Sequence, residues 1–510
     1  MRNHGLAPPA VKPWPMLPML LAALMVSASG LGFGFFLDDH LHLLTIDGHL
    51  DFGSPFDLFR FGTGNPEENL NHINLGPKPW YAALEFKAHF MRPLSCATMV
   101  LDRRLFGEHA VFYHAHSILW YLVLVYAAAL LLRRILPGTL GALALLLFAI
   151  DEAHWFPAVW WSNRNATIAA TFALLGLLAH IRAREDGWRP GHPLAILCFT
   201  LGLLAGETAL GIFGFLVAYE GLSAPGGPRR RFLALIPAGF LFVVYAMVYK
   251  TLGYGAGASG IYFDPIGAWP QFLLHAPGRL LLLFGTQFFS LPVDLAILTP
   301  QIKLPLMIGC LLTVPLLLLG MRLAWRQLDA TERRAVTWLA IGSGLAVLPV
   351  LSTFASGRLL TLPSLGGAVI IAALIRHGWR MRGDGAMSPW RWPILLGAWL
   401  ALLHLVLAPL AWPLQTATLR FASKAAERVI LDAPIGEETA AQQEVVVINA
   451  ENPIFGFYPI IIRMRYDRPI PQSWRTLSVA PCDHYIHRTA LDTIEISLAE
   501  PVPMTDFELL

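Results

Sequence analysis

Apolar windows, several of them short and others about twenty residues long, recur from near the N-terminus to about residue 411, and this recurrence limits the fold more than anything else in the chain. A soluble core could not hide so many of them, whereas a bilayer can. Of the 510 residues 55% are hydrophobic and only 14% charged, and the mean hydropathy is +0.55, well above that of a soluble enzyme of this size. Backbone groups in lipid must be satisfied within their own segment, so each window reads as a helix. The windows fall at 14–37, 111–132, 137–151, 165–181, 193–206, 208–222, 232–252, 304–321, 335–352, 359–376 and 391–411. The expected fold is an all-α polytopic membrane protein with about eleven transmembrane helices. The first window is too long for a secretory signal and lacks a small-residue cleavage end, so it counts as a span.

Arginine-rich short segments set the sidedness. Arg133-Arg134, 182–189, 229–231, 322–334 and 376–382 go to the cytosol together with the N-terminus, which leaves the C-terminus outside. The stretch 279–298 is long enough to cross, but a span there would put the arginines of 322–334 on the wrong side. It is expected to be an interfacial or re-entrant helix on the outer face. The outer side then receives two large loops, 38–110 and 253–303, and the transmembrane module covers residues 1–411. The tail, 412–510, contains strand-like runs at 445–448 and 493–497 and reads as a small mixed α/β extramembrane domain. No internal repeat and no tetratricopeptide array is visible. The net charge of +3 has no concentration that suggests nucleic acid as a partner. The four cysteines lack metal-ligand spacing. Cys198 and Cys310 lie in apolar windows, while Cys96 and Cys482 fall on the same side and are the one pair a disulfide would join.

On this map an acidic pair, Asp38-Asp39, followed by His40, emerges directly from the first window. Asp151, Glu152, His154, Glu207 and the arginines Arg92, Arg164 and Arg358 reach the same boundary from other segments, with Trp155, Trp160 and Trp161 between them. Helix ends need polar caps and membrane interfaces carry tryptophans, but ionisable groups from so many segments at one depth mark a site. Carboxylates beside arginines at a membrane surface suit a lipid-linked phosphosugar. A carboxylate removes the proton of an attacking acceptor hydroxyl. Arginine holds the lipid phosphate and stabilises the charge that develops on it as it leaves. Aromatic faces such as Trp160 suit sugar rings. No P-loop and no dinucleotide-binding glycine pattern is present, which disfavours direct use of ATP.

The run FAIDEAHWFPAVWWSNRN, 148–165, resembles the pattern around the third and fourth spans of the transmembrane and tetratricopeptide-repeat protein O-mannosyltransferases and their bacterial relatives. Phe148, Ala149, His154, Trp160 and Arg164 fall in register with that pattern. Further matches follow the family's order: Asp38-Asp39, Arg92-Pro93-Leu94, Leu105-Phe106-Gly107, His114, Glu207-Thr208-Ala209, and Arg358 with Leu362-Pro363-Ser364 and Gly366. The chain departs from the pattern where Asp151-Glu152 replaces a His-Pro, Phe156 a glutamate, Gly206 a lysine and Ser117 an asparagine, and it has no C-terminal repeats.

The resemblance implies a C-type glycosyltransferase fold and inverting transfer of a monosaccharide from a polyprenyl phosphate. It implies Asp38 or Asp39 as general base, with Asp39 preferred, and Asp151 and Glu152 as assistants that orient the acceptor or hold a metal. Arg92, Arg164 and Arg358 would hold the lipid phosphate, and His40, His154 and Trp160 would contact substrate. Glu207 reads as a partner for an arginine. No cofactor is required, although the carboxylates and histidines are ligands a divalent ion would take. The expected setting is a bacterial inner membrane, with the site and the C-terminus in the periplasm. The expected partners are the lipid-linked donor, an acceptor of undetermined kind and membrane lipids. Two other classes stay open: a lipid or solute transporter, against which no inverted repeat is visible, and a non-catalytic membrane scaffold.

Overall fold

A computed structural model describes residues 14–50, 54–291, 293–294, 302–383, 391–450, 457–480 and 482–500. Each apolar window of the sequence contains a helix. In chain order these are α1 (Leu17–Ser27), then α2 (Asp38–Ile46), α3 (Pro66–Leu75) and α4 (Pro93–Phe106) of the first loop, then α5 (Ala110–Ile135), α6 (Thr139–Ala149) and the short α7 (Trp155–Val159). They continue with α8 (Arg164–Asp186), α9 (Gly191–Ala205), α10 (Ile212–Leu222), α11 (Pro228–Thr251), α12 (Trp269–Phe289), α13 (Lys303–Trp325) and α14 (Ala330–Val347). Then come α15 (Ser364–Gly383), α16 (Trp392–Leu402), α17 (Ala408–Leu431) and, in the tail, α18 (Pro459–Arg465).

Local signals explain many of the ends. Asn65 caps α3 by accepting from the Glu67 and Glu68 amides, and Gly76 ends it at φ 100°. Asp329 and Glu332 form a reciprocal capping box on α14. Length does not bear out eleven full spans. Among the described residues, six helical segments are long and apolar enough to cross a bilayer, or seven if the bent pair Thr139–Ala149 and Glu152–Val159 is one span, and Leu17–Gly32 and Gly191–Ala205 are shorter. Apolar content marks where a helix packs in protein or lipid, but it does not fix how far the helix runs.

Packing separates interior from rim. The apolar window of Trp161–Asp186 is 78% buried, against 11% for Pro228–Thr251 and 17% for Lys303–Trp325. Helix α8 is therefore the centre of the bundle, and α11 and α13 turn most of their surface outward. Helices α15 and α16 meet at Gly378 and Gly397, where a Cβ on Gly378 would lie 3.1 Å from the Gly397 Cα. Small residues at this crossing let the two backbones touch.

Two corrections concern element limits. The segment expected to be interfacial, 279–298, begins inside a longer helix, α12, which starts with Pro270 in its first turn and ends at Ser290 in the left-handed region. Residues 292 and 295–298 of that segment lie outside the described residues. Likewise, the last window does not end at 411. Through a π turn at Leu403–Leu407 the helix runs on to Leu431, because Trp412, Thr416, Ala426 and Ile430 keep a buried stripe while Arg420 and Lys424 face outward.

The two outer loops are joined by a three-stranded antiparallel sheet, β1 (Arg60–Thr63), β2 (Lys87–His89) and β3 (Gly255–Gly257), in which Ala88 pairs with Ala256. In the tail β4 (Glu444–Val447) pairs parallel with β5 (Ser473–Thr476), and β6 (His484–Arg488) with β7 (Ile494–Leu498) forms an antiparallel hairpin. All four cysteines are free thiols, so Cys96 and Cys482 are not bridged. Cys96 is instead fully buried, and its sulfur accepts from the Leu58 amide at 3.4 Å.

The arginine-bearing helix ends lie together. Arg134 pairs with Glu185 and Asp186, Arg184 with Glu220, and Arg376 with Glu332. At the opposite ends the acidic motifs gather.

Candidate active site

Asp38 and Asp39 open α2, and the backbone is strained immediately before them. Leu37, a residue with a Cβ, sits at φ 47° and ψ −110°. Such a conformation costs of the order of 1–3 kcal/mol and persists where the surroundings over-determine it. Those surroundings are the two carboxylates. Asp39 is fully buried, and both its oxygens are occupied. Oδ2 accepts from the Phe36 amide at 2.9 Å, and Oδ1 accepts from the Ser162 amide at 3.0 Å and from the Ser162 hydroxyl. Burial pushes its carboxyl up to about 7 against the pull of those donors. Asp38 keeps some exposure. Its Oδ1 accepts from the Tyr458 hydroxyl, which arrives from the tail 420 positions away. Burial raises the Asp38 carboxyl, and the Tyr458 hydrogen bond and the Arg358 and Arg92 charges oppose that rise.

The three arginines differ in their surroundings. Arg92 donates from Nε to Glu207 Oε2 at 2.8 Å and lies 4.6 Å over the Phe59 ring and 4.8 Å over Phe90. Glu207 also accepts from the Tyr249 hydroxyl at 3.2 Å. Arg358 has no carboxylate partner among the described residues. It stands 5.3 Å from the Phe354 ring and 5.9 Å from Trp160, whose indole nitrogen donates to the Phe36 carbonyl at 3.1 Å. Its loop is held by Asp294, which accepts from the Ser356 hydroxyl at 2.5 Å and the Gly357 amide at 3.2 Å.

Arg164 lies close enough to Asp39 to feel its charge but is enclosed. It is 1% exposed and pairs at 2.7 Å with Asp102, a fully buried carboxylate that also engages His116 at 2.6 Å and the Trp161 indole at 2.9 Å. This junction ties α4, α5 and the start of α8 together beneath the acidic pair, and it leaves Arg164 enclosed in protein.

Other residues singled out in the sequence are buried, some with protein partners and some, such as the ring nitrogens of His40, without a hydrogen bond among the described residues. His154 is buried between the Tyr121 hydroxyl at 3.2 Å and the Ser364 hydroxyl at 2.8 Å. His40 is buried with its Nε2 3.4 Å from Glu427 of α17. His114 lies between the Gly34 carbonyl at 2.9 Å and the Val159 carbonyl at 2.8 Å, where the two segments that frame the pair meet. Asp151 caps the turn Glu152–His154 by accepting from the Ala153 amide at 3.0 Å. Glu152 beside it has one buried oxygen without a hydrogen-bond partner among the described residues. The set Asp38, Arg92, Arg358 and Trp160 is therefore gathered, while Asp151 and Glu152 form a second acidic step behind it. Among the described residues no three of His, Cys, Asp and Glu meet at metal-binding distance.

Reasoning from sequence missed three residues. Asp102 stood in an ordinary-looking charged helix, and Ser162 lay unnoticed inside the tryptophan-rich motif. Tyr458 had no local signal at all.

No protein-family model matches this chain, and no curated protein matches it. Among solved structures, it is similar to the oligosaccharyltransferase of Archaeoglobus fulgidus in the apo form, at 12% identity and a TM-score of 0.44 over 90% of this chain. It is similar at 12% and 0.42 to the same enzyme tethered with an acceptor peptide by a disulfide. The chain spans 64% of the length of that oligosaccharyltransferase.

Proposed function

We propose that this chain is an integral membrane glycosyltransferase that moves a monosaccharide from a polyprenyl phosphate to an acceptor hydroxyl with inversion. The observation that carries the reading is the meeting of a partly open carboxylate, Asp38, with an arginine that has no carboxylate partner among the described residues, Arg358. The Arg358 charge acts on Asp38, and Arg358 stands 5.9 Å from the Trp160 ring. Asp38 takes the proton of the acceptor hydroxyl as the acceptor oxygen bonds to the anomeric carbon. The bond from that carbon to the phosphate oxygen breaks, and the released polyprenyl phosphate carries the electron pair, with its added charge met by Arg358 and Arg92. Displacement from the face opposite the phosphate inverts the centre.

The resemblance in the sequence favoured Asp39 as base. Its full burial and three hydrogen-bond donors favour Asp38 instead, with Asp39 fixing the start of α2. Asp151 and Glu152 would orient the acceptor. The proposed setting is a bacterial inner membrane with this face in the periplasm.

One observation favours the scaffold alternative. So many of the boundary residues already hold one another that a binding-only role would need no change in them. The experiment uses the purified chain in lipid nanodiscs with a panel of polyprenyl-phosphate sugars and an envelope extract as acceptor source, following free polyprenyl phosphate. Release from one donor supports transfer. Absence of release with every donor, in a folded preparation, overturns it in favour of the scaffold.

A further inference from the structure

We infer that Tyr458 is a positioning residue of the site, so that the tail completes a centre that the first loop alone leaves unfinished. The inference rests on the transfer reading above and assigns the C-terminal region a direct part in it. The contact is not an isolated side-chain pair. Tyr458 stands immediately before α18, and that short helix is seated on α2 by Ile461, which packs with Leu41 and Leu44. Arg463, 1% exposed, staples the segment to α17 by donating to the Ile430 carbonyl at 2.8 Å, and it braces the following turn through the Pro469 carbonyl at 2.7 Å. Arg465 pairs with Glu108 at the far end of the first loop. The segment is thus anchored at both ends across the helix that carries the acidic pair, and its tyrosine hydroxyl is held on Asp38 Oδ1.

The chemistry of this contact is directional. A hydroxyl that donates to one carboxylate oxygen fixes the rotamer of the carboxylate and leaves the other oxygen to face an acceptor. The Tyr458 phenol is held well above its ordinary range by burial and by the Asp38 charge, so it remains a donor throughout the working pH range. The groups that face Asp38 are Asp39 and His40 on its own helix, Arg92 at the entry to α4, Arg358 on its loop, and Tyr458 with Tyr262 beyond it. Among the described residues, Tyr458 alone of these hydrogen-bonds the Asp38 carboxyl. Removing its hydroxyl takes away a donor that favours the charged form, so Asp38 should hold its proton to higher pH.

The test isolates the Asp38 carboxyl by infrared spectroscopy of the whole protein in nanodiscs, as the difference between each background and its Asp38→Asn variant. The band is titrated in the wild-type and Tyr458→Phe backgrounds. The substitution keeps the ring and its packing, and hydrogen exchange over 459–465 checks that the segment stays seated. The expected result is a titration midpoint at higher pH in Tyr458→Phe, with the acid limb of donor release moving the same way and the donor KM unchanged. An unmoved midpoint in a seated segment overturns the inference, as does an acid limb that stays in place while overall activity falls. The infrared reading needs no turnover. A shifted band without release from any donor therefore overturns the transfer reading and leaves the Tyr458–Asp38 pairing standing.

Discussion

Arg164 is the residue for which sequence and structure assign different work, and replacing it with methionine separates the two. As a phosphate ligand, Arg164 would affect donor affinity and leave the fold alone. As a strut, it would do the reverse. In the structure its Nη2 lies 2.7 Å from Asp102 Oδ2, with side-chain exposures of 1% and 0%. Arg164→Met fills similar space but leaves a buried carboxylate with only His116 and Trp161 as donors. Removing one partner of such a pair costs roughly 3–5 kcal/mol, because the remaining charge is uncompensated in a poorly polarisable interior. Asp102→Asn should cost a similar amount by stranding the guanidinium. The double variant removes both charges and should be more stable than the two single losses summed, with a coupling of about 0.5–3 kcal/mol. Equilibrium unfolding in mixed micelles by denaturing detergent, followed by tryptophan fluorescence, measures all three. The reasoning is refuted if Arg164→Met unfolds like the wild type while its donor affinity collapses.

Arg358 gives the converse. Arg358→Met should raise the donor KM by roughly 10- to 100-fold, the value of a charge-assisted hydrogen bond. It should cost about 1 kcal/mol or less of stability, since aromatic contacts are lost and no close ion pair is broken. Steady-state kinetics beside the same unfolding assay reads both. Asp39 predicts a pH signature. Its folded carboxyl lies near 7 against an ordinary 3.8, so between about pH 4 and pH 7 the folded state binds the extra proton. Stability should therefore fall as pH rises through that window, and Asp39→Asn should flatten the slope. A wild-type slope of opposite sign, assigned to this residue by the variant, would contradict the assigned environment.

Much of the bundle was legible because lipid and protein interiors both demand apolar periodicity. The window 111–132 became Ala110–Ile135, ended by the arginine pair and Pro137, and 335–352 began at the Asp329 capping box. The limits failed where apolarity was not what extended the helix. Residues beyond 411 stay helical through one buried stripe on an otherwise polar cylinder, and α12 starts ten residues before its most apolar stretch. The boundary residues were legible as a group, since Asp38 and Arg358 directly adjoin apolar windows, and Arg92 and Trp160 lie in the outer segments between windows. Their division of labour was not legible, because it depends on partners distant in sequence. Asp39 is claimed by Ser162, Arg164 by Asp102, and Asp38 by Tyr458, across 123, 62 and 420 positions. Hydropathy and charge carry no record of such pairings. Only the packed geometry decides which of two adjacent carboxylates keeps a free oxygen.

The central claim is that Asp38, not its neighbour, removes the acceptor proton. Single-turnover release of polyprenyl phosphate from bound donor, compared between wild type, Asp38→Asn and Asp39→Asn in nanodiscs, tests it most directly. The account predicts that Asp38→Asn binds donor with near wild-type affinity and loses the chemical step by a factor of at least about 100. It predicts that Asp39→Asn loses stability first and keeps measurable turnover while folded. Wild-type turnover in Asp38→Asn, or its loss in a fully folded Asp39→Asn, would contradict the account.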